Sequence, residues 1–311
     1  MTKAMPQTYN PGVHRFSIFV VLWTIFLFVA GALVTSNNAA LSVPDWPKSF
    51  GRWFPPMRML TGGAFFEHSH RQIAGILAVL VLVLAVWLWR SESRPWVRWI
   101  GALAVAAVLV QAVLGGEVVR QLLQYWLPVM HAVFAQVIFA AVVSIAVFTS
   151  RWWLAERPQL QDKGSPSIRF LTVLNAVVLY VQALLGAGFR HNEIPIWPHL
   201  AGALVAFGVV IWTAIVLRRR FGHSRELSMA RVLLHAIFGM QFLLGLGAYW
   251  SRLSTSEAPQ PMFVMVAFTV IHTVFGAILL AFSVMLVLMC YRLISRGREV
   301  AATTPRQVTT G

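Results

Sequence analysis

The chain has 311 residues, of which 58% are hydrophobic and only 11% charged, against roughly 25% charged in ordinary soluble domains; so few charges cannot cover a water-soluble surface, and most of the chain must be solvated by lipid. The formal net charge of +15 sits in short Lys/Arg clusters between apolar runs, which excludes a nucleic-acid-binding face and fits segments that orient membrane helices and attract anionic lipid. A lone cysteine, Cys290, excludes an intramolecular disulfide and any multi-cysteine metal site.

A spanning helix needs about 20 mainly apolar residues. Eight stretches qualify: 16–36, 69–89, 99–118, 127–148, 169–189, 196–217, 230–250 and 263–290. The first is too long for the core of a signal peptide and reads as a retained helix. Polar breaks fall at Arg90–Pro95, Arg151–Ser167, Arg218–Arg225 and the Pro-rich strip Ala258–Pro261. With the N-terminus placed inside, the inner segments hold 18 Lys/Arg and the outer segments 7. That bias puts both termini in the cytoplasm of a plasma (inner) membrane protein. The expected architecture is an all-α integral membrane fold of eight transmembrane helices forming two pseudo-symmetric four-helix bundles. A cytoplasmic tail (1–15) precedes the first half (16–150), a linker (151–168) leads to the second half (169–291), and a cytoplasmic tail follows (292–311).

The halves are suggested by an internal repeat. The third, fifth and seventh helices carry nearly one phrase: VQAVLGG at Val110–Gly116, VQALLGAG at Val181–Gly188 and MQFLLGLG at Met240–Gly247. In each, a glutamine (Gln111, Gln182, Gln241) precedes a glycine (Gly115, Gly186, Gly245) by one helical turn, on one face. The first helix has a degenerate version, AGALVTS at Ala30–Ser36, with Leu27 in the glutamine's place. Small residues that let helices pack closely in lipid, and a glutamine bonding across an interface, are the plain explanation of such a phrase.

Each of these helices is followed by one that runs back inward and carries a histidine near its outer end: His70, His131, His199 and His272. An ionisable side chain inside a membrane is costly and marks a functional candidate. One buried histidine is more often a hydrogen-bonding core residue than a ligand, but four at equivalent places in a repeat change that balance. A transition-metal centre of imidazoles alone lacks the carboxylates or thiolates that usually complete one. Haem fits better: two imidazoles from facing helices can bracket a porphyrin iron in a bundle core, with glycines giving the macrocycle room. The outer arginines Arg71, Arg120, Arg190 and Arg252 are candidates for its propionates, or simply interfacial anchors. Two pairs imply two porphyrin sites. Of the other histidines, His14 and His223 fall in inner segments, His68 and His191 in outer loops, and His235 near the inner end of the seventh helix.

Glu67 breaks the symmetry. It stands three residues before His70, where a helix would put both on one face, and the equivalent positions hold Pro128, Ile196 and Thr269. A carboxylate there can orient the imidazole or act on a substrate, or be an interfacial charge paired with Arg71. The asymmetry points to one redox half and one catalytic half.

On these residues the chain resembles the haem A synthases. The resemblance rests on LVTSNNAALSVPDWPKSFG at Leu33–Gly51, on PPM…FFEHSHR ending at Arg71 and on the four histidines in order, and it covers nearly the whole chain. It implies conversion of haem O to haem A by oxidation of a ring methyl to a formyl group, through two hydroxylations and loss of water from a geminal diol. By the same resemblance, His199 and His272, with Arg190 and Arg252, would hold a haem b that carries electrons. His70 and His131 would hold the haem substrate or product, and Glu67 would be the catalytic carboxylate. The implied partners are haem O delivered by a haem O synthase, an electron donor, the lipid bilayer and, as an option, further copies of the chain. The chain departs from many relatives in lacking an outer-loop cysteine pair. It also has Thr35 and the run Asn37–Ala40 where many relatives show an arginine and a glycine. The rival readings are a di-haem cytochrome b carrying electrons only, and a transporter, whose polar residues would ordinarily lie at the midplane rather than gather at one face.

Overall fold

The computed structural model describes residues 9–124 and 126–296. The expected cytoplasmic tails therefore lie outside the described residues at 1–8 and 297–311. The elements are α1 (Pro11–Ser36), a 3₁₀ turn at Met57–Met59, α2 (Gly63–Ser91), α3 (Pro95–Arg120), α4 (Leu127–Phe148), the single-turn α5 (Arg151–Leu154) and β1 (Leu160–Asp162). After them come α6 (Ile168–Arg190), α7 (Trp197–Phe221), α8 (Arg225–Ser254), α9 (Phe263–Leu293) and β2 (Ile294–Arg296). Among the described residues, eight of these helices are long and apolar enough to cross a membrane, and the chain is a multi-pass membrane protein.

Local chemistry sets the helix starts. Asn10, Ser167 and Ser224 cap α1, α6 and α8 with side-chain oxygens that accept from backbone N–H groups of the first turn, and prolines begin α1, α3, α4 and α7, where the missing N–H is harmless. Three helices end alike at one end of the bundle. Ala39 N–H donates to Val34 O, Leu123 N–H to Val118 O and Glu193 N–H to Gly188 O, each at 2.9 Å. The residue before each donor, Asn38, Leu122 or Asn192, takes a positive φ of 52°, 52° and 63°, closing the helix with a left-handed residue. Helix α2 starts six residues before the apolar stretch at 69, because the polar run Glu67–Gln72 separates its first turn, Gly63–Phe66, from the long apolar stretch. Glu67 and His68 therefore lie in α2 rather than in a loop.

In the first half, α1 packs on α2 and α4 while α3 packs on α2 and α4. The second half repeats this with α6 on α7 and α9, and α8 on α7 and α9. Each half has its own core: Val20, Leu84, Leu88 and Val142 are fully or almost fully buried in one, Leu171, Val210, Leu234 and Leu286 in the other. The halves meet through α9 against α1 and α4, over Ala32, Val270 and Val274 and over Phe139, Ala277 and Ala281. Lipid gives no hydrophobic drive for helix association, so small residues that permit close approach do the joining. At the opposite end the linker is tied down. Asp162 accepts from Gly164 N–H (3.1 Å), Ile168 N–H (2.6 Å) and Arg220 Nη1 (3.2 Å), and β1 pairs in parallel with β2.

Candidate functional site

Alternating helix directions bring the C-terminal ends of α1, α3, α6 and α8 and the N-terminal ends of α2, α4, α7 and α9 to one end of the bundle. All four repeat histidines lie there, each facing the glycine of the preceding helix. A Cβ on Gly31 would stand 3.2 Å from His70 Cε1, and one on Gly115 2.9 Å from His131 Cε1. The corresponding distances are 2.9 Å from Gly186 to His199 Cε1 and 3.0 Å from Gly245 to His272 Cε1. The junction is thus the same four times, including at the degenerate first copy. The room these glycines make lets the imidazoles approach the preceding helix.

The glutamines complete three of the junctions. Gln111 Nε2 donates to His131 O at 2.9 Å and lies 3.5 Å from the ring Nε2. Gln182 Nε2 donates to His199 O at 2.9 Å and lies 3.0 Å from Nδ1, and Gln241 Nε2 lies 3.5 Å from His272 Nε2. Leu27 can do none of this for His70.

The His199 and His272 rings stand 6.4 Å apart between centroids, at 87°, and His70 and His131 are electrostatic neighbours. Imidazoles on opposite sides of one metal ion, at bonds of about 2 Å, have centroids roughly 6 Å apart, so the second pair has room for one iron. Among the described residues no three His, Cys, Asp or Glu side chains converge as a metal site. A pair of imidazoles then suits a metal whose other ligands come from a macrocycle. The buried nitrogens Nδ1 of His70, His131 and His272 have no hydrogen-bond partner, nor do the buried Oε1 atoms of Gln111, Gln182 and Gln241. Buried polar atoms rarely stay unpaired. An imidazole bound to iron through Nε2 presents Nδ1–H as a donor, and Gln111 and Gln241 bring an unused acceptor to the junction. The residues present fit haem.

Glu67 is 4% exposed and does not hydrogen-bond His70. Its Oε1 pairs with Arg71 at 2.5 Å and its Oε2 accepts from Val43 N–H at 2.9 Å. Arg71 also donates to Asp45 O (2.5 Å), Lys48 O (2.7 Å) and Val43 O (3.3 Å), so its guanidinium is committed to the outer loop rather than free for a propionate. His68 Nδ1 lies 2.9 Å from Ser49 Oγ. Asp45 accepts from Phe50 N–H (2.6 Å) and Gly51 N–H (2.8 Å). Partial burial works to raise the Asp45 pKa, but these N–H groups outweigh it and hold the carboxyl below its ordinary value. Trp46 closes the loop over α3: a Cβ on Gly116 would meet its indole at 2.8 Å, and Arg120 stacks on the ring at 5.3 Å.

In the second half, Arg190 reaches back to the first, donating to Ala32 O (3.0 Å) and Ser36 Oγ (2.7 Å). Ser36 Oγ also lies 2.9 Å from Thr269 Oγ1 on α9. Arg252 lies over the Phe189 ring at 5.1 Å and is an electrostatic neighbour of Arg190. Neither arginine has an acidic partner among the described residues. His191 was not singled out from the sequence, yet burial, then Arg190, then His131 push its pKa down to about 4. It lies just past α6 yet is an electrostatic neighbour of His131 in the first half, a relation between distant segments that leaves no local signal. His235 binds Arg231 O within its own helix at 2.7 Å.

The chain is similar to several known proteins that share one name. A protein named heme A synthase from Lysinibacillus sphaericus is 24% identical over 280 residues, covering 80% of this chain and 89% of its own. One of that name from Bacillus licheniformis is 22% identical over 275 residues, covering 80% and 90%, and one from Geobacillus kaustophilus is 22% identical over 232, covering 68% and 73%. The family model described as cytochrome oxidase assembly protein, COX15-CtaA, matches residues 14–291. A match that takes in all eight spanning helices and all four histidine–glycine junctions places the chain in the COX15-CtaA family of cytochrome oxidase assembly proteins.

Proposed function

We propose that this chain is a haem A synthase, a membrane oxidoreductase that converts the ring methyl of haem O to the formyl group of haem A. The observation that carries the reading is the fourfold imidazole–glycine junction at one end of the bundle, two copies per half, with a buried carboxylate beside only one of them. The relatives' shared name supports the same activity. Two hydroxylations and loss of water from the geminal diol take four electrons from the methyl carbon and leave on it one oxygen atom, drawn from water or dioxygen, so they need a site for the substrate and a route for electrons. A second haem, of type b, supplies that route when bound.

The first half is the substrate side. His70 and His131 hold the iron of haem O, and Glu67 acts at the ring edge, where a carboxylate stabilises developing positive charge or takes a proton. Arg71 and Val43 N–H fix both of its oxygens, so it is positioned before substrate arrives. The second half holds haem b between His199 and His272. Arg190 and Arg252, two neighbouring guanidiniums without an acid, suit its propionates. Haem O comes from a haem O synthase through the lipid, and the histidine end faces outward, in keeping with the Lys/Arg bias. Co-expression with a haem O-producing enzyme, followed by haem extraction, tests the reading: haem A is expected. Haem b alone would overturn it in favour of an electron-carrying cytochrome.

A further inference from the structure

Three of the four junctions carry a glutamine against the histidine and one does not. Gln111, Gln182 and Gln241 bring an amide to the ring or carbonyl of His131, His199 and His272. Their Oε1 atoms are buried and unpaired, as are Nδ1 of His131 and His272. In all three junctions the amide lies against the ring, and in those of His131 and His199 it also holds the histidine's backbone carbonyl, so the imidazole is braced from the preceding helix. An outer partner of this kind fixes the orientation of a ligating imidazole, and removing one from a metal site typically costs 10–100-fold in affinity. At the first junction the glycine is kept, with Gly31 3.2 Å from His70 Cε1, but Leu27 occupies the glutamine's place and packs into the first half's core. The nearest acid, Glu67, gives its oxygens to Arg71 and Val43. His70 Nδ1 is buried with no partner among the described residues.

We infer that Leu27 makes His70 the releasable iron ligand: the haem in the first half is held firmly by His131 and loosely by His70, whereas both ligands in the second half are held firmly. This rests on the haem-site reading above and assigns the lability to one face of one haem. A substrate that must enter and leave needs one weak ligand, and an electron carrier needs none. Leu27 and the three glutamines are positioning residues, acting on iron only through the histidines.

Carbon monoxide, which binds ferrous haem only where an axial ligand gives way, is the probe, used on the purified full-length protein with its haem. In the wild type about half of the haem, the share in one site of two, is expected to bind it. Leu27→Gln supplies the missing amide and is expected to weaken carbon monoxide binding at that site by about 10-fold or more. Gln241→Leu removes a tether from the second half and is expected to make its haem reactive, raising the reactive share. Because Leu27→Gln places a polar group in a packed core, Gln241→Leu provides an independent arm if the first variant does not fold. Haem-loaded wild type and variants with one and the same reactive share overturn the inference while leaving the haem sites standing. Protein that purifies without haem overturns both.

Discussion

The close contacts between glycine and imidazole set how single residues at the site respond to change. Gly186→Ala or Gly245→Ala puts a methyl group about 3 Å from a ring carbon, where the ring or a helix must shift. Overpacking of this kind costs about 1–3 kcal/mol. Both variants are expected to lower the thermal midpoint and to alter or lose the haem b spectrum, whereas Gly208→Ala, with open space around it, should do neither. Glu67→Gln is expected to abolish haem A formation while haem b stays bound, read by haem extraction beside the redox spectrum. Asp45 gives a pH dependence. Its folded pKa lies below its unfolded value, so its hold on the loop is present above the ordinary carboxylate range, about pH 4, and is lost as pH falls through the folded pKa. The protection factors of the Phe50 and Gly51 amides, measured against intrinsic exchange at each pH, should therefore be high at neutral pH and fall only in acid. Low protection at neutral pH would exclude this role.

At the scale of elements, two ties connect segments far apart in sequence. Arg190 joins the end of α6 to the end of α1, and Asp162 joins the linker to α6 and α7. Asp162→Ala leaves two backbone N–H groups without their acceptor and removes the ion pair with Arg220, at about 1–3 kcal/mol. It is expected to lower thermal stability while sparing the haem spectrum, since the haem residues lie at the other end of the helices. The eight spans and the repeat phrase were legible in the sequence because hydropathy and the glutamine–glycine spacing are local. The left-handed Leu122 was not: asparagines at 38 and 192 signal such a turn, and a leucine does not. Nor was the β1–β2 pairing, whose partners lie more than a hundred residues apart. The four histidines were legible as a set. That Glu67 is held by Arg71 and Val43 N–H rather than by His70 depends on how the outer loop folds back over α2.

For the whole molecule, orientation is open to direct measurement, because the native cysteine, Cys290, is fully buried and gives little background. Cysteines introduced at exposed Lys48 or Ser256, at the histidine end, and at exposed Ser165 in the linker report the two sides separately. A membrane-impermeant maleimide added outside intact cells should label the first two and spare the third. The reverse pattern would overturn the assignment made from Lys/Arg bias.

By itself the sequence determined that the chain spans a membrane eight times, that it is built from a repeated helix pair, and that four histidines and one unmatched glutamate mark one end. Each of these follows from local composition, helical period or spacing. Only the tertiary structure decided that the glycines face the imidazoles and that three histidines have a glutamine beside them while His70 has none. It also decided that Arg71 belongs to a loop and that His191 of the second half is an electrostatic neighbour of His131. These are contacts between helices, and in a bundle whose helices are all apolar the pattern of one helix does not say which neighbour it will meet or at what height.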